Sequence, residues 1–111
     1  MKINKHYYSL HYSESDLILA TEEIMNFLKE RIDFSNPAML IEKREDARLM
    51  LQHSSKAFLT VDYINKKISG RSSEEYAAYS SLRNYIEMLR KDLETVIFSI
   101  GNALNFLRAE R

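Results

Sequence analysis

Apolar residues return every seven positions in the C-terminal third of the chain, in two interleaved rows. One row comprises Tyr79, Ile86, Leu93, Ile100 and Leu107, and the other comprises Leu82, Leu89, Val96 and Ala103. A stripe of this kind runs along one side of an α-helix and packs against another helix. The pattern therefore predicts one helix from residue 73 to about residue 108 and a fold in which helix packs on helix.

A second helix is predicted from residue 37 to about residue 68. Its apolar row is Leu40, Ala47, Ser54, Val61 and Ile68. Pro37 suits the first helical position, with Ser35 or Asn36 as the N-cap. The weakest point is Ser54-Ser55, where the segment either continues or bends into two shorter helices. Because no Gly or Pro lies nearby, the sequence favours one continuous helix.

The first helix is predicted to begin after Ser13. Ser13 suits the N-cap, and the acidic residues Glu14 and Asp16 suit the positive end of the helix dipole. Apolar residues then recur at helical spacing as far as Leu28, and the segment 33–37 ends the helix. The segment 69–73 around Gly70 predicts the turn between the second and third helices, with Ser72 as a cap.

These elements predict an all-α fold, an antiparallel bundle of three long or four shorter helices. The chain has 111 residues, enough for one domain, which we assign to 13–111. Residues 1–12 are predicted to form a distinct tyrosine-rich arm that contains Tyr7, Tyr8 and Tyr12. Its tyrosines either lie on the bundle or dock a partner. With only two Gly and one Pro, the chain lacks the turn residues that sandwiches and barrels need.

The composition disfavours several classes of function. The chain has no cysteine, which removes disulfides and thiolate metal sites. It has 16 basic and 16 acidic residues, whereas nucleic-acid-binding proteins usually carry a basic excess. Its longest uncharged apolar stretch, 95–107, is too short and too polar to span a bilayer, and the N-terminus lacks a secretory signal. We therefore expect a cytoplasmic protein that makes no membrane contact.

Arg48 and His53 form an Arg-x4-His spacing. This spacing resembles the motif of HEPN-type ribonucleases, small helical bundles that often act as dimers. The resemblance covers six residues and implies metal-independent RNA cleavage by these two side chains. However, residues five apart do not share one helix face, so the reaction would require a break in the helix or a second subunit. The usual polar residue after the Arg is replaced here by Leu49.

The sequence predicts no metal or other cofactor. His6, His11 and Glu14 are the best candidates for a metal site, but they lie in or beside the arm with no supporting residues evident. The Glu-x-x-His pairs of di-iron bundles do not occur. A nucleic-acid-binding regulator, using basic residues such as Lys66, Lys67 and Arg71, is a weaker alternative.

The unequal helix lengths predict a function. A first helix of about 18 residues spans about 27 Å, roughly half the length of its two neighbours. Apolar surface is then left over. It is covered if the second helix folds back at Ser54-Ser55, if the N-terminal arm lies along it, or if a second copy or another protein binds there. The last alternative favours a non-enzymatic interaction module of the adaptor, chaperone, antitoxin or immunity type. It would bind a protein partner or a second copy, giving a homodimer.

The same reasoning selects candidate contact residues and a test of them. The candidates are Tyr7, Tyr8, Tyr12, Ile97, Leu104 and Leu107. Gly101 predicts a close approach by another helix or a mild bend. Charged substitutions at Ile97 and Leu104 are expected to weaken association while helix content survives.

Overall fold

The computed structural model describes residues 11–68 and 73–109 and contains three helices in this part of the chain. They are α1 (Glu14–Lys29), α2 (Pro37–Ile68) and α3 (Ser73–Ala109), which pack against one another without any strand among the described residues. The prediction of an all-helical protein is confirmed. Tyr7 and Tyr8 of the predicted arm, and the predicted turn at Gly70 and Ser72, lie outside the described residues.

Short polar side chains fix the starts of the first two helices. The Ser13 hydroxyl accepts a hydrogen bond from the backbone N–H of Asp16 at 3.3 Å, as predicted. The side-chain oxygen of Asn36 accepts from the N–H of Met39 at 3.2 Å, so Asn36 is the cap of α2. Each bond satisfies a backbone donor that has no partner within its own helix.

The helix α2 continues through the serine pair at its centre. The hydroxyls of Ser54 and Ser55 both donate to the carbonyl of Leu51, at 2.7 and 3.1 Å. This bonding satisfies the Ser54 hydroxyl although the residue is fully buried. All five residues of the predicted row, from Leu40 to Ile68, are buried. The small Ser54 therefore serves as a core position in an unbroken helix.

The helices α2 and α3 run antiparallel along one apolar seam. Leu40, near the start of α2, clusters with Ile100 and Leu104 near the end of α3. Val61, near the end of α2, clusters with Ile86 in the first half of α3. Each helix carries a continuous apolar stripe, and the two stripes bury each other.

The helix α1 covers the part of this seam formed by the first half of α3 and leaves the other end to the connecting segment. Its 16 residues span about 24 Å, against about 55 Å for the 37 residues of α3. Leu17 packs with Val61, and Phe27 packs with Leu93. Beyond the end of α1, Ile32 in the connecting segment packs against the cluster of Leu40, Ile100 and Leu104. The predicted inequality of helix lengths is therefore present, but the connecting segment covers part of the difference.

Gly101 lies within α3 and has open space beside it. A Cβ built at this position would have no atom within 4 Å, leaving aside its chain neighbours and the helix's own backbone. The predicted close approach of another helix at Gly101 is therefore wrong for the described residues. The helix nevertheless continues through Gly101 to Ala109.

We predict that Gly101→Ala stabilises the protein. Alanine restricts the unfolded backbone and favours the helix, and its methyl group meets nothing here, so the free energy of unfolding should rise by about 0.5–1 kcal/mol. Urea denaturation followed by circular dichroism measures the change. A loss of stability would show that the glycine is required for a contact or backbone shape not evident in the fold.

Candidate interaction surface

Tyr12, the one arm tyrosine among the described residues, is a core residue. Only 6% of it is exposed, and it clusters with residues of all three helices. Its backbone N–H donates to the hydroxyl oxygen of Thr60 at 2.9 Å, and the ammonium group of Lys56 lies over its ring. Tyr12 therefore lies on the bundle, one of the two arrangements predicted for the arm. The alternative, that Tyr12 is a contact residue for a partner, requires correction, because its ring is already covered by its own chain.

A tyrosine–histidine hydrogen bond ties this residue to α2. The Tyr12 hydroxyl lies 2.5 Å from Nδ1 of His53. Burial raises the pKa of Tyr12 to about 12 and lowers the pKa of His53 from its ordinary value. Both shifts favour a protonated tyrosine beside a neutral imidazole, so the hydroxyl donates and Nδ1 accepts.

The three predicted contact residues of α3 face the seam rather than solvent. Leu104 is 5% exposed and packs with Leu40 and Ile100. Ile97 and Leu107 are half-buried against the neighbouring clusters. The reason is that Ile32 and the start of α2 reach this end of α3 and cover the apolar surface that the helix lengths had left over. Leu104→Glu is therefore expected to unfold the protein, because it buries a charge.

The most exposed large apolar side chains of α3 are two phenylalanines. Phe98 is 69% exposed and Phe106 is 64% exposed, the highest values among the large apolar side chains of the described residues. They are eight residues apart on one helix, so they lie on the same side at a separation of about 12 Å along the axis. Contact between an exposed phenylalanine ring and water is unfavourable, so covering the ring favours binding.

These two rings belong to an uncharged surface that we call the outer face. Asn102 lies midway between Phe98 and Phe106, and the remaining members are Thr95, Ser99, Asn105 and Ala109. All are exposed except Ser99, which is half-buried. The sequence from Thr95 to Leu107 contains no charged residue on any side of the helix. A partner can therefore cover the outer face without burying an ion, which would be costly.

Phe98 and Phe106 were not predicted as contact residues, because they lie outside both heptad rows. The residues predicted instead, Ile97 and Leu104, adjoin the core stripe, whereas the phenylalanines lie on the opposite side of the helix. A second signal was present, since two phenylalanines eight residues apart and opposite the core positions mark a second apolar side of the same helix.

Arg48 and His53 lie on different sides of α2. Arg48 is exposed and donates to the carboxylate of Glu45 at 2.8 Å. His53 instead points towards Tyr12. Because α2 is unbroken between the two residues, one chain does not bring them into a common cleft. A HEPN-like site required either a break in the helix or a second subunit. Because the helix is unbroken, such a site would need a second subunit to supply one of the two side chains.

The described residues of the other candidate sites contact other residues of the same chain. His11 stacks on Tyr63 with ring centres 4.4 Å apart, while His6 lies outside the described residues. Within the described ranges no three His, Cys, Asp or Glu residues group as metal ligands. Of the basic residues near the end of α2, Lys66 pairs with Asp62, which also pairs with Arg83. No helix in the described part is long and apolar enough to cross a membrane.

An open apolar groove of about 320 Å³ lies between the start of α1 and α3. Its lining residues are Glu14, Leu17, Ile18, Ala78, Tyr79 and Leu82. Small-molecule sites usually combine apolar walls with several convergent polar groups. The groove offers the carboxylate of Glu14 and the hydroxyl of Tyr79, too few to define a ligand.

Comparison of the chain with protein-family models, with curated proteins and with solved structures found no match. On the surface of the described residues, the outer face of α3 carries the two most exposed large apolar side chains.

We predict that acidification from about pH 7 to about pH 5 lowers the free energy of unfolding through His53. The pKa of His53 is below its ordinary value of 6.5 in the folded chain. The unfolded chain therefore takes up the proton first, and stability is complete above pH 6.5 and declines as the pH falls below it. Urea denaturation at several pH values measures this slope.

His53→Gln is the control for the pH experiment. It should flatten the slope between about pH 7 and about pH 5, whatever its effect on stability at neutral pH. The pKa values of Asp33 and Asp62 are lowered from 3.8 by hydrogen bonds from Ser35 and Lys66 respectively, so those two groups act at lower pH. An equal slope in the parent and in His53→Gln would contradict the assignment.

Proposed function

We propose that this protein is a non-enzymatic helical module that binds a protein partner or a second copy of itself through the outer face of α3. The observation that carries the proposal is the exposure of Phe98 and Phe106 on a helix face without charge. The functional class is that of adaptors, chaperones, antitoxins and immunity-type proteins, in which the binding surface itself is the functional site.

The energetics support such a role. Covering one phenylalanine ring contributes about 1.5–3 kcal/mol, so the two rings together offer about 3–6 kcal/mol towards association. Side-chain ordering and lost rigid-body freedom offset part of this gain. The expected complex is therefore of moderate affinity, in which a helix of the partner lies along α3 and fills the space between the two rings.

The folded chain supports this class better than an enzymatic one. The candidate ribonuclease pair is divided between two sides of α2, and Arg48 and His53 are each engaged by a neighbour. The outer face, by contrast, is exposed and carries only side chains that a protein surface can cover without burying an ion.

We predict that Phe98→Glu and Phe106→Glu abolish association while the fold survives. Both side chains are exposed, so charging them costs the monomer little, but it places a carboxylate within the bound surface. Recovery of partners from the native host and the solution mass should both be measured. Circular dichroism establishes that helix content is unchanged.

Leu59→Glu is the matched control, since Leu59 is also a half-exposed apolar residue but lies on α2. It should leave association as in the parent. If both phenylalanine variants keep every partner and the same mass as the parent, the outer face is not the binding surface and the proposed function fails.

A further inference from the structure

We infer that the partner of the outer face is a second copy of this chain, packed antiparallel with its two-fold axis at Asn102. This inference rests on the proposed function, because it names the occupant of the same surface. It is carried by the symmetry of the outer face and by two charged residues at its edge.

The outer face is symmetric in chemistry about Asn102. Phe98 and Phe106 lie four residues before and four residues after it, about 40° to either side of it around the helix. Ser99 and Asn105, three residues away in each direction, are both small and uncharged, and so are Thr95 and Ala109 at seven. An antiparallel dimer with its two-fold axis at Asn102 brings each residue before Asn102 to the height of the residue equally far after it in the other copy, so phenylalanine meets phenylalanine and uncharged residues meet uncharged residues.

In this arrangement the aromatic rings interleave. Phe98 of one copy lies at the same height along the helix axis as Phe106 of the other, on the opposite side of the line along which the two helices touch. The two Asn102 side chains meet at the axis, where each amide offers both a donor and an acceptor to the other. The contact thus covers four phenylalanine rings around one self-paired polar position.

Charge at the edge of the face favours the antiparallel direction. Glu94 and Arg108 are exposed, and neither makes an ion pair within the described ranges. They lie on one edge of the face, eight residues before and six residues after Asn102. In the antiparallel dimer, Glu94 of one copy and Arg108 of the other lie on the same edge, about 3 Å apart in height. The symmetry produces this pair twice.

A parallel dimer brings like charges together instead. Asp92 lies on the edge of the face opposite Glu94 and about 3 Å from it in height. In a parallel dimer, each edge of the face lies beside the opposite edge of the other copy. Glu94 of one copy therefore meets Asp92 of the other. Exposed Lys91 lies between these two residues around the helix and offsets part of this repulsion, whereas the antiparallel dimer gains two opposite pairs.

Cysteine cross-linking tests the register, since the chain contains no cysteine of its own. Asn102→Cys places two thiols at the axis, close enough for a disulfide. Asn84→Cys is the matched control, because Asn84 is also exposed and lies on the same line of α3 five turns earlier. Its two copies would be about 54 Å apart in the antiparallel dimer.

Mild oxidation of purified protein should therefore link Asn102→Cys rapidly and Asn84→Cys slowly, as read on non-reducing gels. Equal rates for the two variants would overturn the proposal, whether both are fast, as in a parallel dimer, or both are slow, as in a monomer. Circular dichroism of each variant shows that the fold is retained.

Charge exchange tests the edge pair in solution. Glu94→Arg and Arg108→Glu should each raise the dimer dissociation constant about tenfold, measured by analytical ultracentrifugation. The two residues are about 21 Å apart in one chain, so they do not compensate each other within a monomer. The double variant should return to the affinity of the parent.

An equimolar mixture of the two single variants should also recover full affinity, because the mixed dimer contains two opposite pairs. If neither the double variant nor the mixture regains the dimer affinity of the parent, the antiparallel register is overturned. A parent that stays monomeric at every concentration, while Phe98→Glu still abolishes binding to another protein, would overturn the second copy as partner. In that case the proposed function would stand.

Discussion

The seam between α2 and α3 is the contact on which the rest of the structure depends. Helices in proteins derive most of their stability from packing of an apolar face rather than from helix propensity, and these two helices share one apolar stripe. Small residues at Ala47, Ser54 and Ala57 keep the seam narrow along α2. The larger Ile86, Leu93 and Ile100 fill it from α3. The helix α1 and Tyr12 then attach to a surface that the long pair has already formed.

Much of this architecture could be predicted from periodicity. The row from Leu40 to Ile68 is buried throughout, and the two helix starts use the expected type of cap. Periodicity succeeded because a helix in water must bury its stripe, whichever neighbour covers it. The absence of Gly and Pro near the serine pair favoured the unbroken α2, in which hydroxyl bonds to Leu51 accommodate both serines.

The candidate surface was less predictable, for a physical reason. Ile97, Leu104 and Leu107 were selected as apolar surface beyond what one short helix covers, but that comparison omits the connecting segment that carries Ile32 across the end of the bundle. For the arm tyrosines two arrangements were open, on the bundle or on a partner, because no local pattern reveals the contacts of Tyr12 with Thr60 and His53, more than 40 residues away in sequence. Phe98 and Phe106 were visible only as exceptions to the heptad rows.

The shortness of α1 also has a dynamic consequence. Only four of its residues are buried, against eight on α2, so its attachment costs less to undo than separation of the long pair. Local opening should therefore begin at α1, whose amide protons would exchange with solvent before those in the middle of α2 and α3. The paired helices α2 and α3 should then stay together while α1 detaches. The outer face of α3, which lies away from the core, keeps its shape during this opening.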